Sequence, residues 1–381
     1  MHIILITNTL SSIFLFRMRL ISKLIERGDH ISVLIPHYES SNNSADILKN
    51  MGVSVYFYRS SRTGVNPFVE VLTVISIFNV LQKIKPDVVF SFFPKPIVFG
   101  TIGAKLARVK RIVSMFEGLG YCFTIRKNSG SIKKSILKFI QLILYKLFLR
   151  FSDIVLFLNK DDANELLVKH RIKVKSFDVV GGIGVNLEQY SYNSLVSHNE
   201  PLVFTMVSRL LIDKGIREYV AAAKIVKEKY PATVIQVVGG IDDNLGGITP
   251  QELEKWKLDK SVNFTGPVSD ISKELIKTSV FVLPSYREGV PRSTQEALAI
   301  GLPVITTDVP GCRETVINNL NGFLIPPWDS NELAKKMIFF IENPYIICQM
   351  GKQSRLLAEE KFNEEVFCNK LINILSISDV N

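Results

Sequence analysis

The chain has 381 residues, 47% of them hydrophobic, enough to bury a large core and, by length, to form two domains. A formal charge of +10 and an isoelectric point near 9.3 favour an anionic partner: nucleic acid, an acidic membrane or a phosphorylated substrate. Cys122, Cys312, Cys348 and Cys368 form no C-x-x-C pair and no metal spacing, which excludes a disulfide scaffold and fits four buried, incidental thiols in a reducing compartment.

The first residues, MHIILITNTLSSIFLFRMRL, lack a basic stretch ahead of the apolar run, and Arg17 and Arg19 break the apolar character of its second half. They read as a strand and a helix, not a signal peptide. No run of about 18 uncharged apolar residues occurs, so no transmembrane helix is expected and the topology reads as cytoplasmic. The runs HIILIT, HISVLI, VSVYFY, DVVFSF, RIVSMF and DIVLFL read as buried strands. Amphipathic stretches such as FRMRLISKLIERG and PFVEVLTVISIFNVLQKI separate them. Continuous apolar strands alternating with helices imply parallel sheets covered on both faces.

After SFDVVGGIGVNLEQ, the polar stretch YSYNSLVSHNEP has the composition of a linker. A second series, LVFTMVS, ATVIQVVGG, VNFTG, VFVLPS and PVITT, begins near Pro201. The expectation is an α/β chain of two Rossmann-like domains, 1–185 and 201–360, with ligands at the carboxyl ends of strands and a cleft between two facing sheets. Residues 361–381 either end the second domain or cross back to the first as a last helix.

From Gly118 to Ser152 there are seven lysines and arginines and no acid. At 100° per residue, Ile136, Leu137, Ile140, Ile143, Leu144, Leu147, Phe148 and Phe151 share one face. Lys134, Lys138, Gln141 and Tyr145 share the opposite face, with Lys133, Lys146 and Arg150 on the flanks. This suits a helix lying in the plane of an anionic bilayer; the alternative is a core helix with a solvated basic face. The cations are not interleaved with aromatic stacking platforms, so nucleic acid is not the expected partner.

In VSRLLIDKGIREYV a strand ends near Val207 and a helix starts near Lys214, with Gly215 in its first turn. Arg209 and Lys214 at the strand's carboxyl end would suit a diphosphate; two solvated surface cations are the other reading. Gly239 and Gly240 in VVGGIDDN permit close backbone approach, by a ligand or simply in a turn. Asp242 and Asp243 lack a supporting ligand cluster, and no metal is expected. In SYREGVPRSTQEALAIGLPVITT, Pro291 suits a first helical turn and Gly301 a stop. That puts Glu288 in a loop and Glu296 within the helix, with the amides of Gly289, Val290 and Arg292 as an anion site.

Arg209, Lys214 and Gly215 as R-x-x-x-x-K-G, with Glu288 and Glu296 as E-x7-E, resemble the retaining nucleotide-sugar glycosyltransferases of family 4, which have the GT-B fold. The resemblance implies that Arg209 and Lys214 hold the donor diphosphate, Glu288 faces the donor sugar and Glu296 accepts bonds from the ribose hydroxyls. It implies no metal and no cofactor beyond the UDP-sugar itself. Many members read E-G-F-G where this chain has Glu288-Gly289-Val290-Pro291, and a histidine where it has Glu117. The elements EGLG (Glu117, Gly118, Leu119, Gly120), FRMRLI, SRTGVNPF and GIGVN resemble bacterial transferases that extend polyprenol-diphosphate-linked glycans. That likeness implies a UDP-N-acetylhexosamine donor such as UDP-GalNAc, a lipid-linked acceptor and an enzyme peripheral on the inner face of the cytoplasmic membrane. Arg17, Arg19, Arg62 and Lys95 are then candidate acceptor-side or lipid-phosphate cations. A UDP-sugar epimerase of the same architecture and a non-catalytic binder of membrane or nucleic acid are the alternatives.

Overall fold

The computed structural model describes residues 1–39, 44–61, 67–126, 132–192, 201–242 and 246–376. The chain forms two compact units. One comprises Met1–Phe123, the stretch ending at Val180 and the chain from Glu365; the other comprises Gly181–Glu364 and the segment beginning at Thr124.

The first unit starts with β1 (His2–Ile6), α1 (Leu10–Phe16), α2 (Met18–Glu26), β2 (His30–Pro36), α3 (Ser44–Asn50) and β3 (Ser54–Tyr58). It continues with α4 (Pro67–Ile84), β4 (Val88–Phe92), α5 (Pro94–Leu106) and β5 (Arg111–Phe116). Then come α6 (Ile132–Phe148), β6 (Ile154–Phe157), α7 (Lys160–Ala163) and β7 (Phe177–Val179). The seven strands pair in the order β3-β2-β1-β4-β5-β6-β7, all parallel. Covered on both faces, the strands are largely apolar: Ile3, Ile4, Leu5 and Ile6 are all fully buried. Each such side chain contributes roughly 1.5–3 kcal/mol by leaving water.

The second unit runs β8 (Val203–Val207), α8 (Ile216–Lys229), β9 (Val234–Val238), α9 (Pro250–Asp259), β10 (Asn263–Gly266) and α10 (Ile271–Ile276). It continues with β11 (Val280–Leu283), α11 (Arg292–Ile300), β12 (Val304–Thr307), β13 (Gly322–Ile325), α12 (Ser330–Glu342) and α13 (Tyr345–Lys361). Its six strands are parallel in the order β10-β9-β8-β11-β12-β13. In both sheets the strand order reverses beside the first strand, between β1 and β4 and between β8 and β11. Crevices for ligands open at the carboxyl ends of strands flanking such a reversal.

The last helix, α14 (Glu364–Leu375), packs with the first unit. Glu365 takes Arg19 and Lys23, Lys370 pairs with Asp178 at 3.0 Å, and the Arg111 Nε donates to the Ile374 carbonyl at 2.8 Å. Arg19 and Lys23 thus clasp α14 to α2.

Several local expectations differ from the structure. FRMRLISKLIERG is broken at Arg17, whose backbone (φ −130°, ψ −6°) separates α1 from α2. The edge strands β7 and β13 are not among the runs read from the sequence. The stretch read as a linker starts inside the second unit: Tyr190 is 6% exposed, and the Tyr192 ring lies against Gly301. Cys312 and Cys368 are buried, but Cys122 and Cys348 are only half-buried. α4 is long and apolar enough to cross a membrane, yet it buries Thr73, Ile77 and Leu81 in the first unit's core.

Candidate active site

The carboxyl ends of β8 and β11 gather the charged residues of the second unit. After β8 the chain makes a short turn, Ile212–Lys214, and Gly215 in left-handed backbone (φ 75°) joins it to α8. Gly215 is thus the hinge before the helix, not part of its first turn. A Cβ there would lie 2.0 Å from the Pro284 carbonyl oxygen, so only glycine lets this turn close onto the end of β11. The Tyr286 amide donates to the Asp213 carbonyl at 2.9 Å and fixes the two strand ends together.

That closure places the Lys214 ammonium 2.5 Å from the Glu288 carboxylate, and the Ser285 hydroxyl donates to the same oxygen at 2.7 Å. Both charged side chains are largely covered, 22% and 11% exposed. Arg209 is in a different setting: it is 61% exposed and pairs at 2.5 Å with Asp242, an acid to which the sequence reading gave no metal role. Asp243 lies outside the described residues. Gly239 packs on protein backbone, since a Cβ would lie 1.9 Å from the Ser208 carbonyl oxygen. Among the described residues no three His, Cys, Asp or Glu side chains converge as metal ligands.

Pro291 is the N-cap of α11, one position earlier than expected, and contributes no capping side chain. Gly289 and Val290 form the loop ahead of it, with Val290 5% exposed. Within α11, Glu296 is 5% exposed and takes a bond from Arg292 Nε at 3.0 Å. Burial pushes its carboxyl above the ordinary value against the opposing pull of Arg292 and Tyr190. Burial also pushes the nearby Cys312 thiol up to about 12, which makes it inert.

Gln295 is not legible from sequence. Fully buried, it accepts from the Gly184 amide at 2.9 Å and donates to the Val290 carbonyl at 3.1 Å, tying GGIGVN to the start of α11. A polar residue on a wholly buried helix face is its only signal. Arg126 is equally hidden: it pairs with Asp213, next to Lys214, although it precedes that residue by 87 positions.

In the first unit, the turn Glu117-Gly118-Leu119-Gly120 follows β5. Glu117 pairs with Arg17, which is 1% exposed and stacks over the Phe92 ring at 4.7 Å. Arg17 is therefore an internal partner of Glu117, not a surface cation. Next to this pair Phe93 has φ 73° and ψ 153°, a region normally left to glycine and costing about 1–3 kcal/mol. Lys95 pairs with Glu70 at 2.8 Å, and Arg62 lies outside the described residues.

α6 is turned the other way from the core-helix alternative. Tyr145 is fully buried, edge-on to Phe116. Lys134 lies over Tyr121, while Lys138 lies over Phe123 and pairs with Glu165 at 3.2 Å. The apolar face looks outward: Ile136 is 52% exposed and Phe139 65%. Lys133, Lys146 and Arg150 are exposed beside it. Lys134 and Lys138 thus hold the helix to the protein.

Comparison with known proteins adds the family. Residues 2–159 match the family described as "Glycosyl transferase 4-like", and residues 191–357 match "Glycosyl transferases group 1". The chain belongs to the glycosyltransferases. This glycosyltransferase is 27% identical over 386 residues, 98% of each chain, to the N,N'-diacetylbacillosaminyl-diphospho-undecaprenol alpha-1,3-N-acetylgalactosaminyltransferase of Campylobacter jejuni. It is 27% identical over 322 residues to the UDP-Gal:alpha-D-GlcNAc-diphosphoundecaprenol alpha-1,3-galactosyltransferase of Escherichia coli, covering 82% of this chain and 80% of that one. Its fold is GT-B. It superposes on the sucrose-phosphate synthase of Thermosynechococcus elongatus with a TM-score of 0.80 at 20% identity, covering 98% of each chain. HepE of Anabaena, solved with UDP and glucose, gives 0.76 at 18% identity and 99% of each chain.

Proposed function

We propose that this glycosyltransferase moves an N-acetylhexosamine, specifically GalNAc, from a UDP-sugar to an undecaprenyl-diphosphate-linked saccharide at the anionic inner face of the cytoplasmic membrane. The observation that carries the chemistry is the Lys214–Glu288 pair in the loops that follow the two strands flanking the sheet reversal. The likeness to the Campylobacter jejuni enzyme over 98% of both chains supports the choice of substrates.

Lys214, with Arg209, offsets the charge that develops on the leaving diphosphate, the task a divalent ion performs elsewhere, so transfer needs no metal. Glu288 faces the donor sugar. The acceptor hydroxyl approaches on the side from which UDP leaves, which retains the anomeric configuration. Glu296 receives the ribose hydroxyls and shares its carboxylate with Arg292. On the acceptor side Glu117 is the functional carboxylate, Arg17 positions it, and Gly118 and Gly120 shape its turn. The outward apolar face of α6, with Lys133, Lys146 and Arg150, supports attachment at the membrane.

Glu296→Gln separates binding from stability. A charge-assisted bond to ribose is worth roughly 1.5–3 kcal/mol, so UDP affinity should fall about 10- to 150-fold. The folded carboxyl titrates above its unfolded value, so its contribution to stability is fully present below the unfolded pKa and lost as pH rises through the folded one. The neutral variant escapes that loss, and urea unfolding at neutral pH should show no destabilisation. A clear loss of stability with UDP affinity intact would reverse the assignment.

The reaction itself is tested by incubating the protein in EDTA with UDP-, GDP- and dTDP-sugars, with and without bacterial membrane lipid, and measuring free nucleoside diphosphate. UDP release from one sugar, only with lipid and lost in Glu296→Gln, is expected. Conversion of a UDP-sugar without UDP release would replace transfer by epimerisation.

A further inference from the structure

A second outward apolar stripe lies on α4. Val71, Leu72 and Ile75 are 58%, 49% and 47% exposed, while the opposite side of the helix is in the core. α4 packs on α5 and α5 on α6, so the three form one layer on the first sheet. Helices linking parallel strands run antiparallel to them. The N-terminal half of α4, which carries the stripe, therefore lies toward the carboxyl edge of the sheet, the edge that bears the Glu117–Gly120 turn.

Charge selects the occupant. Between Pro67 and Ser152 the only acids are Glu70, Asp87 and Glu117. Each is neutralised: Glu70 by Lys95, Asp87 by Lys110 at 2.9 Å and Glu117 by Arg17. Lys133, at the start of α6, is exposed toward the same edge as the stripe, and Lys105, Lys146 and Arg150 are exposed toward the opposite end of the same helix layer. A second copy would bring like charges together on this surface, whereas anionic headgroups complement it. A membrane-spanning α4 would have to withdraw Thr73, Ile77 and Leu81 from the core.

We infer that α4 and α6 together form an in-plane docking surface for an anionic bilayer, with α4 seating the carboxyl edge of the first sheet at the headgroups. This rests on the lipid-linked acceptor of the proposed reaction, and it adds a second contact that fixes the orientation of the first unit on the membrane.

The test is flotation of the full chain with vesicles of phosphatidylethanolamine and phosphatidylglycerol. Leu72→Glu/Ile75→Glu is expected to lower the bound fraction about 10-fold or more, with UDP affinity unchanged. The milder Val71→Trp should float normally and have its emission quenched by brominated lipid beyond that of the parent protein. Undiminished flotation of the double variant, or no added quenching in Val71→Trp, overturns the inference. Dissociation of a dimer by the double variant, with flotation unchanged, assigns the stripe to a second copy instead. A parent protein that floats and shows these α4 effects but transfers sugar to no lipid-linked acceptor would sink the proposed reaction and leave the docking surface standing.

Discussion

Lys214→Ala should lower kcat roughly 100- to 1,000-fold, about 2.7–4 kcal/mol of lost stabilisation of the leaving diphosphate. The loss is more than one missing cation. Lys214 neutralises Glu288 at 2.5 Å, so its removal exposes an arriving diphosphate to that carboxylate. Arg209→Ala should be milder, because Arg209 is 61% exposed and the charge it presents is screened by water and salt. Steady-state kinetics with a fixed acceptor, together with calorimetric titration of UDP, separates the two effects. Lys214→Ala/Glu288→Gln should regain part of the UDP affinity of Lys214→Ala without regaining turnover. Full turnover in Lys214→Ala, in the presence of EDTA, would remove the lysine from the mechanism.

Arg17→Ala should destabilise the first unit by about 3–5 kcal/mol, the usual consequence of leaving a buried ion-pair partner uncompensated. The Arg17 side chain is fully buried, donates to the Phe16 carbonyl at 2.8 Å and carries the pairing of Glu117. Trp256 and Trp328 both belong to the second unit. Tryptophan emission should therefore shift less during urea unfolding than circular dichroism, which also sees the first unit. Arg17→Met/Glu117→Leu replaces the pair by apolar groups and should recover most of the stability while remaining poor in transfer. Equal stability of Arg17→Ala and the parent would show that the buried pair adds nothing to the fold.

The strands were legible because parallel sheets demand unbroken apolar runs, and RIVSMF coincides with β5. PFVEVLTVISIFNVLQKI likewise coincides with α4. β7, three residues at a sheet edge, carries too little pattern to be read, and β13 was not among the runs read as strands. Spacing located Lys214, Glu288 and Glu296 on the right elements, because strand ends and helix starts have local signals. Their partners have none. Arg17 and Glu117 are 100 positions apart, and Asp242 meets Arg209 only because β8 and β9 are neighbours. Periodicity divided α6 into two faces but did not say which is covered. Tyr145 and the cation contacts of Lys134 and Lys138 decide that in favour of the less apolar face.

The return of α14 to the first unit has a consequence for engineering donor choice. A chimera cut once, near residue 185, would supply α14 from the wrong parent and lose the clasp of Arg19 and Lys23 on Glu365. An exchange of residues 181–364 needs two splice points and moves that unit without the short segment that begins at Thr124. Arg126 of that segment stays behind while its partner Asp213 is replaced. Parents that differ at either position should give well-folded chimeras with poor transfer, curable by changing a single residue.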